Sequence, residues 1–207
     1  MSMKRPSSDV AFSPSVKRVQ SERGSRGAYR RVEEGGGFET EVNDELRAFL
    51  ALIDSAYLAT ASADGQPYIQ HRGGPKGFIQ ALDDQTLAFV DFAGNRQYVS
   101  TGNLAENDRV CLFLMDYEHR RRVKVWGTAR VVPAGDELLA KLAPLGYRAR
   151  PEQVVLITVS AWDVNCPQHI PQKLDAVEVE HAVERLQARI AELEAENRAL
   201  KAPHRPL

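Results

Sequence analysis

Gln70, His71 and Arg72 stand in succession and run into Gly73-Gly74-Pro75-Lys76-Gly77, where two cations flank a backbone free to turn sharply. Arg and Lys grip phosphate through charge-assisted hydrogen bonds, and glycine-rich turns expose N–H groups that add to the same grip. The chemistry suited to this stretch is the holding of a doubly charged phosphate by Arg72, Lys76 and the N–H groups of the turn. His71 could exchange a proton beside whatever that phosphate carries, or serve only as a strand histidine bonding across the fold. Cys166 and His169 have the C-x-x-H spacing of half a metal site, but no second pair complements them, so no metal is expected. Cys111 lies in an apolar run with nothing near it in sequence to lower its pKa, and it reads as a small core residue, not a nucleophile.

These groups need elements to carry them. Leu46, Phe49, Leu50 and Ile53 fall at helical spacing behind Asn43, a good N-cap. Ala56 to Ala63 alternates, and Asp64-Gly65 is a two-residue hairpin signal leading into the strand Pro67 to Arg72 that bears the basic cluster. Phe78 to Leu82 and Thr86 to Phe92 read as a second strand pair; the latter is apolar on both faces and is expected to be central. Ala93-Gly94-Asn95-Arg96 breaks it, and a helix follows over Gln97 to Glu106. Val110 to Met115 and Val123 to Val131 are strands, Gly135 to Leu142 a helix, and Val154 to Val159 a last strand. Short antiparallel strands with small connections and no repeated strand-helix-strand rhythm predict a barrel, not a doubly wound sheet.

A chain of 207 residues with 43% hydrophobic content suits one domain with extensions. We read residues 1–40 as an extended N-terminal arm with one possible short helix over Ser15 to Glu22, residues 41–174 as the barrel domain, and residues 175–207 as a helical tail. The arm could drape over its own surface or wrap a partner subunit. A net charge of -1 argues against nucleic-acid binding, which rests on Lys and Arg in excess. Two cysteines build no disulfide scaffold, and no apolar run approaches the length of a membrane span or a secretion signal. The expected protein is soluble and cytoplasmic.

In the tail, Val179, Val183, Leu186, Ile190, Leu193, Asn197 and Leu200 alternate spacings of four and three. That puts Val183, Ile190 and Asn197 at heptad position a and the four others at d, the pattern of a parallel two-stranded coiled coil. An amphipathic helix lying on its own barrel is the alternative.

The order of motifs resembles the flavin-binding split-barrel family that includes pyridoxamine 5'-phosphate oxidase. The resemblance spans roughly Leu46 to Leu174 and rests on four pieces: Asp64 to Tyr68, Phe89 to Arg96, Arg122 to Gly127, and Trp162 to Pro171. It implies a mainly β (α+β) fold, an antiparallel split β-barrel with flanking helices, a homodimer, and FMN in grooves between the subunits. Carried over by position, it puts Gln70, His71 and Arg72 on the strand beside the flavin and Val90 and Asp91 on the strand near its ring. Asn95, Arg96 and Gln97 fall on the family's Ser-Arg-Lys phosphate run, with glutamine in place of lysine. Arg122 falls where the family often has a glutamine at the pyrimidine end; a guanidinium there would stabilise negative charge on reduced flavin. Trp162 is retained, while Gln168-His169 stands in place of the Arg-x-His element that binds the substrate phosphate, which implies another small-molecule substrate or none. The expected function is that of an FMN-binding flavoprotein, an oxidoreductase related to but distinct from the oxidase itself. Alternatives are a non-catalytic FMN module, or a split barrel using haem or a deazaflavin.

Overall fold

The computed structural model describes residues 5–143 and 147–201. Asn43 starts α3 (Asp44–Leu52) as its type predicts: its Oδ1 accepts the Leu46 N–H at 3.1 Å, and Leu46, Phe49 and Leu50 are buried. β1 (Ser55–Ala61) and β2 (Pro67–Gly73) then pair antiparallel, with Tyr57 opposite His71. Their connection is wider than the two-residue hairpin expected from Asp64-Gly65. Ser62 N–H donates to the Gln66 carbonyl at 3.1 Å, and of the pair only Gly65 takes a positive φ, +89°. A tight type I′ turn needs both.

β3 (Gln80–Ala81), β4 (Thr86–Phe92), β5 (Arg109–Asp116), β6 (Arg121–Pro133) and β7 (Pro151–Asn165) complete a seven-stranded antiparallel sheet in the order β2-β1-β5-β6-β7-β4-β3. Leu58 of β1, Leu112 of β5, Val125 of β6 and Phe89 of β4 share one buried cluster with α3, and the sheet curls around it. The fold is the antiparallel split β-barrel with flanking helices. β4 is not central as expected: it is second from the edge. Its outer face is apolar because Ala88 and Val90 pack with Val154, Leu156 and Leu142 of α5 (Asp136–Leu142). β7 runs beyond the predicted Val154 to Val159 at both ends, starting at Pro151 and, past the slip at Ser160, keeping its pairing with β6 over residues 161–165. Cys111 lies half-buried on the face of β5 away from the core, and burial pushes its thiol pKa up.

β6 and β7 slip register between Trp126 and Gly127, and a Cβ on Gly127 would stand 2.1 Å from the Thr158 carbonyl oxygen. Glycine is what lets the two backbones approach at this bulge.

The segment expected to be an extended arm is folded. A 3-10 turn (Ser7–Val10), α1 (Pro14–Glu22) and α2 (Arg26–Glu34) precede Phe38, whose ring stacks on Trp126 at 5.5 Å. Phe12 packs edge-on against both Tyr29 and Phe38, so the apolar residues too sparse to reveal a period still form a cluster. Lys17, Asp9, Glu33 and Arg26 form a connected set of ion pairs across α1 and α2.

Residues 117–120 and 169–201 form a second compact unit. Within it the Lys173 ammonium sits 4.1 Å over the Tyr117 ring, Gln172 Nε2 donates to the Glu118 carbonyl at 3.0 Å, and α6 (Ala176–Lys201) extends the chain. No helix among the described residues is long and apolar enough to cross a membrane.

Candidate functional site

Strand alternation sends Gln70 and Arg72 to one face of β2 and His71 to the other, and the rest of the site follows from that division. Arg72 Nη1 reaches Asp91 Oδ1 on β4 at 2.5 Å, with both side chains largely buried. The second carboxylate oxygen accepts the Gln153 amide N–H at 2.8 Å, and the same amide nitrogen donates to Thr101 Oγ1 at 2.9 Å. Ser100, in the first turn of α4 (Val99–Glu106), donates through Oγ to Gln70 Oε1 at 2.9 Å.

The loop after β4 forms the outer lip. A register slip between Asp91 and Phe92 marks a bulge at the end of β4, after which Phe92 still stands opposite Pro151 and the Ala93 N–H donates to the Arg150 carbonyl at 2.9 Å. Asn95 Oδ1 accepts the Gln97 N–H at 3.2 Å, a local turn bond that asparagine makes readily. Arg96 and Tyr98 then take left-handed φ values of +61° and +52°, conformations costly for side-chain-bearing residues and held here by tertiary bonds. Arg96 Nε donates to Tyr98 Oη at 3.2 Å, and Tyr98 Oη donates to Glu152 Oε1 at 2.6 Å. The hydrogen bond to Tyr98 and the nearby Glu152 carboxylate hold the Arg96 guanidinium still more firmly in its charged form.

These elements enclose a cleft of about 260 Å³, lined by Gln70, Arg72, Asp91, Asn95, Arg96, Ser100, Glu152 and their neighbours. A smaller recess of about 160 Å³, lined by His71, Phe89, Val90 and Tyr147 among others, shares Arg72, Asp91 and Phe92 with it. His71 is exposed there, its Nε2 2.8 Å from Ser55 Oγ. The cleft holds two guanidinium groups against two carboxylates, and Arg72 keeps a buried Nε without a hydrogen-bond partner. Such an arrangement can bind an anion, provided the anion competes with Asp91 for Arg72.

Seven of the residues singled out in the sequence therefore lie together: Gln70, His71, Arg72, Val90, Asp91, Asn95 and Arg96. Five do not line this region. The expected phosphate nest of the glycine turn is corrected: Gly74 N–H donates to the Asp54 carbonyl at 3.0 Å and Gly77 N–H to the Ile53 carbonyl at 2.9 Å. Those donors tie the turn to the end of α3, and Lys76 is an exposed residue outside the cleft lining. Gln97 is exposed on the loop, and Gln168 is exposed after β7. Arg122 opens β6 with a buried, unpartnered Nε. Trp162, expected to close the site from a partner subunit, is a core residue only 2% exposed whose indole N–H donates to the Glu41 carbonyl at 2.7 Å. It anchors the segment leading into α3, and the one polar donor of its side chain is already used.

Sequence reasoning missed Tyr98, Ser100, Thr101, Glu152 and Gln153. Ser100-Thr101 at a helix start was a readable hint, since first-turn polar groups attract anions. Glu152 and Gln153 carried no local signal; the pairing of Asp91 with Gln153 brings them in.

The family model for pyridoxamine 5'-phosphate oxidase matches residues 42–166. No curated protein sequence matches the chain significantly. Among solved structures, HupZ of Group A Streptococcus is similar at 22% identity, covering 64% of this chain and 98% of that one with a TM-score of 0.49. An FMN-binding protein of Syntrophomonas wolfei is similar at 12% identity, covering 73% and 95%, with a TM-score of 0.47. A FAD-binding protein of Mesorhizobium loti is similar at 16% identity, covering 60% and 94%, with a TM-score of 0.41.

Proposed function

The chain belongs to the pyridoxamine 5'-phosphate oxidase family, and on that premise we propose that it is an FMN-binding flavoprotein that performs oxidation and reduction on a small molecule. The observation that carries this reading is the convergence of Arg72, Arg96, Asn95 and Gln70 on one cleft between β2, β4 and α4. Arg96 and Arg72 hold the phosphate, Asn95 shapes the loop that presents Arg96, and Gln70, oriented by Ser100, hydrogen-bonds the polar chain of the cofactor. Bound FMN supplies reversible two-electron chemistry. His71, on the recess side, is the candidate for moving a proton.

The fit in charge requires the Arg72–Asp91 pair to open, because a phosphate and the Asp91 carboxylate seek the same guanidinium. The fit in size favours a homodimer. A cleft of about 260 Å³ is below the roughly 300–1,000 Å³ of small-molecule sites, and a second copy would supply the missing wall. Gln168, standing where the family's oxidases carry a cationic element, points to a substrate other than pyridoxamine phosphate. A binding module without turnover is the second reading, favoured by the exposure of His71, since nothing among the described residues shields a proton transfer there.

The test is to purify the protein, release any chromophore and identify it by mass, then add NADH or NADPH and follow the visible spectrum. FMN that is reduced and then reoxidised by oxygen or another acceptor supports the enzyme; FMN that resists reduction supports the module. A Soret band, a deazaflavin mass, or failure to take up added FMN would overturn the assignment.

A further inference from the structure

α6 runs for 26 residues and buries none of them; Val183 is 45%, Ile190 56% and Leu186 64% exposed. Most of a helix's stability in a protein comes from covering an apolar face, and nothing within its own compact unit buries this one. We propose that a second copy of this chain covers it, the two α6 helices forming a parallel two-stranded coiled coil. This inference needs no bound flavin and stands apart from the functional reading.

Three features identify the occupant as a second copy. Val183 and Ile190 at a with Leu186, Leu193 and Leu200 at d is the side-chain choice that favours two parallel strands. Flanking charges complement a parallel copy: Arg189 at g meets Glu194 at e of the other helix, and Glu196 at g meets Lys201 at e. Within one chain Arg189 and Glu194 make only exposed pairs, with Glu192 at 2.8 Å and Arg198 at 3.8 Å, which re-form at little cost.

Asn197 decides the direction. In a parallel pair it faces its own counterpart, and two amides bond each other across the seam. In an antiparallel pair with meshed a and d layers, Asn197 faces Val179 or Leu186, according to register, leaving a buried amide without a partner. A parallel coil also requires a two-fold axis along α6, the symmetry of a homodimer.

The test uses the full chain carrying Cys111→Ala and Cys166→Ser, with Leu186→Cys at d or Ala188→Cys at f, under mild oxidation read on a non-reducing gel. Parallel pairing brings the two 186 positions within the roughly 4.4–6.8 Å Cα range of a disulfide. Antiparallel meshing offsets them along the axis by about 6 or 16 Å, according to register, at 1.5 Å rise per residue, and offsets the two 200 positions by more than about 25 Å. Leu186→Cys should cross-link at least about tenfold faster than Ala188→Cys, whose Cβ faces away from the seam. Leu200→Cys should behave like Leu186→Cys and provides the same readout if the latter folds poorly. Absence of cross-linking at both d positions, or equal rates at d and f, would overturn the proposal.

Discussion

Arg72 on β2 and Asp91 on β4 meet at 2.5 Å, although their strands stand first and sixth in the seven-strand order. No backbone ladder joins β2 to β4 among the described residues; the shared core and this ion pair bring the two ends of the sheet together. The pair also sits on the wall common to the cleft and the recess.

Asp91→Asn should therefore move stability and affinity in opposite directions. Leaving Arg72 without its counterion costs about 1–3 kcal/mol in the ligand-free protein. The same change removes the carboxylate that competes with a phosphate, so FMN should bind tighter and the rise in Tm on adding FMN should exceed that of the unmodified protein. Equal thermal shifts in the two proteins would take Arg72 out of the phosphate grip.

Arg96 is exposed and bonded only to Tyr98 among the described contacts, so Arg96→Ala should leave the ligand-free Tm nearly unchanged. It should weaken FMN binding by roughly 1.5–3 kcal/mol, the value of a charge-assisted hydrogen bond. Titration by quenching of flavin fluorescence measures it.

Gly127→Ala forces a Cβ against the Thr158 carbonyl, 2.1 Å away in a backbone that cannot give without breaking the bulge. A loss of about 3 kcal/mol or more is expected, which lowers Tm by roughly 6–12 °C for a chain of this size. Gly102→Ala in α4 is the control of opposite sign: a Cβ there meets nothing within 4 Å. It should stabilise by about 0.5–1 kcal/mol through helix propensity. Thermal denaturation of both separates steric conflict from a general intolerance of change.

Glu33 is held below the ordinary carboxylate range chiefly by its hydrogen bond from Arg26, helped by Lys17. The folded state therefore prefers the charged form, and the stability this contributes is in place above the unfolded pKa of about 4.3. It is lost as the pH falls through the lower folded value. Glu33→Gln should loosen α1 and α2 at pH 7, seen as faster amide exchange over residues 14–34, and the difference should disappear in acid, once the folded carboxyl is protonated. A difference that persists there would assign the effect to packing.

Much of the barrel was legible because its signals are local. Asn43 capped the helix it was expected to cap, and β4 occupies the predicted Thr86 to Phe92 because alternation and flanking breakers lie within a few residues of each other. In the N-terminal segment the helix expected over Ser15 to Glu22 is α1, but α2 and the packing were not legible, because Phe12, Tyr29 and Phe38 reveal themselves as a cluster only when brought together with Trp126.

For the site, the sequence alone marked Gln70, Arg72, Asn95 and Arg96 as candidates, since cations, amides and a strand break adjoin there. Only the tertiary structure decided which candidates converge. It tied the glycine turn to the end of α3, left Lys76 outside the cleft lining and drew Trp162 into the core. It also brought Glu152 and Gln153 to Asp91 from some sixty residues away. The reason is physical: residue type and short-range period set which face a side chain occupies. Strand register and barrel closure depend on pairings distant in sequence, and these decide what that face meets.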